Sequence, residues 1–126
     1  MNLDCKILAE EIIDKAVSVG KTISTAESCT GGMIAAVITS ISGSSQVFGY
    51  GFVTYSNDAK VKLLDVPEDV IKAKGAVSEE VALAISYGAR MKSGADVALS
   101  VTGIAGPTGG TESRGKNIAK LAIIKY

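Results

Sequence analysis

The chain has 126 residues, 13 basic and 13 acidic side chains, 14 glycines, two cysteines and no histidine. Its length and its 47% apolar content imply a single globular domain over residues 1–126 with a buried core. Without imidazole, Ser-His-Asp and Cys-His catalysis and His-built zinc sites are excluded, and zero net charge weighs against a nucleic-acid surface.

The first 19 residues read as an amphipathic helix. Leu8, Ile12, Ala16 and Val19 recur at helical spacing, as do Ala9, Ile13 and Val17, and Gly20 is a stop signal. Cys5 on this helix reads as a small packing residue. Thr22 to Glu27 is β-branched and short, which predicts a strand. Ser28-Cys29-Thr30-Gly31-Gly32 follows, and then Met33 to Ile38, apolar all round, predicts a short buried helix. Val47 to Tyr55 reads as a second strand, bent at Gly49 and Gly51.

Asn57 is a candidate N-cap for a helix through Lys60 and Leu64. Pro67-Glu68-Asp69 opens another helical turn. Ser78-Glu79-Glu80 opens a longer helix with Val81, Ile85 and Gly88 on one face and Gly94 at its end. Val97 to Thr102 is a third strand, Gly103 to Gly110 a glycine-rich loop, and Ile118 to Ile124 a last strand. This alternation predicts an α/β domain with helices on both faces of a sheet. A final strand with no later covering element suggests self-association into a homo-oligomer.

Three segments carry candidate chemistry. Thr25 to Gly32 joins a strand to a helix through hydroxyl, thiol and glycine residues. Such a turn can hold a nucleophile, Ser28 or its rival Cys29, before free N–H groups, with Gly31 and Gly32 as oxyanion donors, or it can bind an anion at the helix end. In Tyr55 to Lys60, a desolvated Lys60 is the available base for a hydroxyl in a protein without histidine. Thr102 to Gly110 would follow a strand end, where α/β sheets bind ligands. Two look-alikes fail. Gly110 to Lys116 spells G-x-x-x-x-G-K, but Asn117 stands where a P-loop needs Ser or Thr. Ser113 to Lys116 spells S-x-x-K in a glycine loop, away from any buried helix.

The blocks TAESCTGG, GSSQVFGYGFVTYSNDAK, GAVSEEVA and SGADVALSVTGIAGPTGG, in this order, resemble the CinA C-terminal domain family. The resemblance implies a three-layer α/β/α fold with a mixed, mostly parallel sheet of four to five strands. It also implies nicotinamide-nucleotide amidase activity, in which nicotinamide mononucleotide and water give nicotinate mononucleotide and ammonia, without metal or other cofactor. Carried over, Ser28 matches the nucleophile and Tyr55 and Lys60 its partners. Thr30, Gly31, Gly32, Asn57, Thr102, Gly103 and Gly106 fall at substrate-binding positions. The family pattern continues past the glycine loop with a KPVG-like strand, a further strand and a helix bearing a basic residue. Here Lys116-Asn117-Ile118-Ala119 stands at that place and the chain closes at Tyr126. The alternative is therefore a catalytically inactive pyridine-nucleotide binding or regulatory module. The expected partner is a small-molecule nucleotide, with neither nucleic acid nor membrane. The absence of a signal-like apolar segment near Met1 and the low cysteine count point to the cytoplasm.

Overall fold

The computed structural model describes residues 2–104 and the backbone of a strand at 118–125. Helix α1 (Leu3–Val19) starts at Asn2, whose Oδ1 accepts from the Asp4 N–H at 2.7 Å. It ends at Gly20, left-handed at φ 67°, where the Gly20 and Lys21 N–H groups close on Val17 and Ala16. Strand β1 (Ile23–Glu27) follows, then α2 (Met33–Thr39), a single 3-10 turn at Ser44–Gln46, and β2 (Phe48–Val53). Next come α3 (Asn57–Leu64), α4 (Glu68–Lys74) and α5 (Glu79–Ser93), which ends at left-handed Gly94. Strands β3 (Val97–Ile104) and β4 (Ile118–Lys125) complete the order.

The four strands form one sheet in the order β2-β1-β3-β4. β1 is parallel to both β2 and β3, and β4 is antiparallel to β3, so the sheet is mixed and mostly parallel. The partner of Ile23 is Phe48 and the partner of Ser24 is Tyr50. Gly49 is therefore bulged out, which is the predicted bend of this strand. At the start of β1 and β3, Asp96 accepts from the Thr22 N–H at 2.9 Å, and the Asp96 N–H returns to the Thr22 hydroxyl. The bond from the Thr22 N–H, with one from the Thr22 hydroxyl to the same carboxylate, holds the Asp96 carboxyl below the usual range.

Strand alternation divides the core in two. On one face Ala26 and Ala98 pack with Leu64, Val66, Ile71, Val81, Ile85 and Ala89 beneath α5. On the other, Ala9, Ile13, Ala16, Ile38, Ile41 and Val47 join α1 and α2 to the sheet. These two cores give the three layers. Gly88 permits the contact of α5 with α3, since a Cβ there would lie 2.1 Å from the Leu64 carbonyl oxygen.

Four expectations are corrected. α2 is not buried all round: Met33 is exposed and only Ile38 is fully buried, because seven residues lie along one side of the sheet. α1 buries Ala9, Ile13 and Ala16 but leaves Leu8, Ile12, Val17 and Val19 exposed, so only part of its apolar pattern faces the core. Cys5 is likewise exposed rather than packed. Ser56, not Asn57, caps α3: Ser56 is extended and its hydroxyl accepts from the Ala59 N–H, while Asn57 is already helical. Among the described residues no helix is long and apolar enough to cross a membrane.

Candidate functional site

β1 lies between β2 and β3, so the chain crosses to one side of it and later returns to the other. Ligands collect at the carboxyl ends of strands at such a switch point. Ser28 stands there, just beyond β1. Its N–H donates to the Val101 carbonyl, which extends the ladder to β3. On the β2 side, the Thr54 N–H donates to the Glu27 carbonyl at 2.9 Å.

Because side chains alternate along a strand, Glu27 and Ser28 leave on opposite faces. Ser28 meets α3. Lys60 shares the sheet-facing side of that helix with Leu64, at i and i+4, and only 1% of its surface is exposed. Lys60 Nζ lies 3.2 Å from Ser28 Oγ, 2.9 Å from the Thr54 carbonyl oxygen and 3.1 Å from that of Tyr55. The Ser56 carbonyl is at 3.5 Å. Burial lowers the Lys60 pKa from its ordinary value, and the electrostatic influence of Cys29 opposes that shift.

The proton count at this nitrogen is informative. A neutral amine has two N–H donors and one lone pair. The Thr54 and Tyr55 carbonyls can only accept, so they take the two donors. Ser28 is the remaining close neighbour and the one able to give a proton. An ammonium satisfies the same geometry by donating to the two carbonyls and to Ser28 Oγ, and loss of one proton leaves a lone pair that can accept from the Ser28 hydroxyl.

Of the three residues predicted to be catalytic, Ser28 and Lys60 are brought together. Tyr55 reaches Lys60 through its backbone carbonyl, while its side chain is 73% exposed at the rim. The turn also differs from its sequence reading. The Gly31 N–H donates to the Ser28 carbonyl and the Thr30 hydroxyl to Glu27, so both donors are spent within the turn. Among the described residues the Cys29, Thr30 and Gly32 N–H groups have no acceptor. Gly32 holds φ 104°, a conformation side chains disfavour. The end of α2 is not open to an anion, because the Ile34 and Ala35 N–H groups already donate to the Glu27 carboxylate. Sequence reasoning quoted Glu27 in its motif but assigned it no task. The available signal was an acidic residue at an inward position of a buried strand.

Thr102 is buried and its hydroxyl donates to the Ala76 carbonyl at 2.8 Å, so it anchors the turn before α5 and does not offer that donor to a ligand. Gly103 lies near the end of β3, half-buried and paired with Ala119. Asn57 borders a crevice between α3 and α4 with Val61, Ile71 and Lys72. Gly106 lies outside the described residues, as do both look-alike motifs.

Fold and site together define an α/β domain with a buried Ser–Lys pair at the switch point of a mixed sheet. Residues 6–122 match the CinA C-terminal domain, and the chain belongs to that family. It is 55% identical over 128 aligned positions to a CinA-like protein of Geotalea daltonii, covering 96% of this chain and 31% of that protein. Its structure is similar to the competence/damage inducible protein CihA of Agrobacterium tumefaciens, with a TM-score of 0.95, 45% identity, and 99% of this chain covered against 78% of that one. The competence damage-inducible protein A of Klebsiella pneumoniae matches with a TM-score of 0.93 and 32% identity, over 96% of this chain and 75% of that one. The chain spans between 22% and 31% of the length of the curated relatives it matches.

Proposed function

We propose that this domain hydrolyses the carboxamide of nicotinamide mononucleotide to nicotinate mononucleotide and ammonia. The observation that carries the reaction class is the buried Lys60 Nζ, 3.2 Å from Ser28 Oγ. The substrate rests on the resemblance of the motif blocks.

Neutral Lys60 takes the Ser28 proton as Oγ bonds to the carboxamide carbon. The carbonyl oxygen becomes an oxyanion, for which the Cys29, Thr30 and Gly32 N–H groups are the available donors. Collapse breaks the C–N bond, and the Lys60 proton leaves with ammonia. Water then attacks the acyl group, gives its proton to Lys60, and Ser28 recovers a proton as it departs. The geometry favours direct transfer from Ser28 to Lys60, with the exposed Tyr55 ring at the rim of the substrate site rather than in the relay.

A coupled ammonia-release assay on nicotinamide mononucleotide tests the reading. The wild type should release ammonia and Ser28→Ala should not. Release at the buffer rate by both would discard the amidase and leave the non-catalytic pyridine-nucleotide binding module.

A further inference from the structure

We propose that Glu27 is the positioning residue of the nucleophile turn, an inference that rests on Ser28 being the nucleophile. Glu27 is 1% exposed, and no basic side chain pairs with it among the described residues. A buried carboxylate is costly unless its oxygens are hydrogen-bonded. Here Oε1 accepts from the Thr30 hydroxyl at 2.7 Å and the Ile34 N–H at 2.8 Å, and Oε2 accepts from the Ala35 N–H at 3.0 Å.

Those contacts join three places. The carboxylate belongs to the end of β1, Thr30 is the middle of the turn, and Ile34 and Ala35 open α2. Everything between them is the Ser28–Gly32 turn. The N-cap position itself is Gly32, which has no side chain to cap with, so the capping is done from the strand. The main chain of the same residue holds the other side of the site. The Glu27 carbonyl accepts from the Thr54 N–H, and the Thr54 carbonyl accepts from Lys60 Nζ, which meets Ser28 Oγ. One residue therefore fixes the nucleophile relative to its base through its backbone, and relative to the free N–H groups through its side chain. It touches no substrate atom in this scheme.

The test compares Glu27→Gln, Thr30→Val and Thr30→Ser in the whole chain. A glutamine amide places a donor against either the Ala35 N–H or the Ile34 N–H and Thr30 pair, so one anchor is lost. Ammonia release is divided by the number of sites titrated with a fluorophosphonate that reacts with Ser28. Per titrated site, Glu27→Gln should lose about 10- to 100-fold in kcat with KM within about threefold, the mark of misplaced reacting groups. Thr30→Val should lose less, and Thr30→Ser, which keeps the hydroxyl, should recover most of the rate. Unchanged turnover per titrated site would overturn the proposal, because Glu27 would then govern only how much protein folds. Should the wild type release no ammonia, the amidase reading fails separately, and the rate of Ser28 labelling decides. Slower labelling in Glu27→Gln upholds the positioning role, whereas equal labelling, or none in either protein, refutes it.

Discussion

Lys60 must be neutral to accept a proton, which makes the pH dependence of turnover the sharpest test of the site. An ordinary lysine, with a pKa of about 10.4, is neutral in about one molecule in a thousand at pH 7.4. Burial moves Lys60 in the useful direction, and each unit of lowering raises the neutral fraction tenfold until the pKa meets the working pH. The sign follows: kcat should rise with pH, up to tenfold per unit, and level off above the Lys60 pKa. The kcat profile is preferred to kcat/KM, because the phosphate of free substrate also titrates near pH 6. Lys60→Arg keeps a basic side chain but is always protonated and supplies no lone pair at working pH, and should cost about 1,000-fold or more. A kcat that falls as pH rises from 6 to 9, or a Lys60→Arg protein with more than a tenth of wild-type turnover, would refute the neutral-amine mechanism. Stability should move the same way. Between the folded pKa and 10.5 the unfolded chain holds the extra proton, so stability rises with pH in that window. The gap between wild type and Lys60→Met in urea melts should therefore shift toward wild type from pH 7 to 10, by at most about 1.4 kcal/mol per unit.

Cys29 acts electrostatically against the lowering of the Lys60 pKa, so Cys29→Ser should move the rising limb of the kcat profile to lower pH; movement to higher pH would contradict that influence. Gly88→Ala should destabilise the domain by about 2 kcal/mol in urea titrations, because overlap with the Leu64 carbonyl outweighs a helix-propensity gain of about 1 kcal/mol. An unchanged urea midpoint would show that the approach of α5 to α3 is looser than this. We also propose that the 126-residue chain self-associates: β2 is an edge strand with Tyr50 and Val53 exposed, and an apolar groove of about 420 Å³ opens between α1 and α2 over Ile23, Val97 and Leu99. A monomer in equilibrium sedimentation would count against it.

What could be read from the chain depended on whether the decisive contact was local. Gly20, Ser78 and Gly94 end or begin helices through atoms a few residues away, and all three stand where the pattern placed them. The bend at Gly49 was legible for the same reason. The choice of Ser56 over Asn57 was not, since either side chain can cap and the backbone angles decide. Lys60 was legible as a candidate base in a chain without histidine, but its hydrogen-bond partners were not. The resemblance named Tyr55 beside it, with proton transfer direct or through Tyr55, whereas the fold presents the Tyr55 and Thr54 carbonyls, which carry no residue identity at all. Glu27 shows the deeper limit. In the string TAESCTGG it and Ser28 read as one functional unit. A strand separates neighbours onto opposite faces, so Ser28 meets Lys60 on α3 while Glu27 ties down α2. The motif is therefore two devices back to back. The Glu27 device has the stricter geometry, since its carboxylate meets three donors from two elements while the Ser28 side chain meets one, Lys60 Nζ.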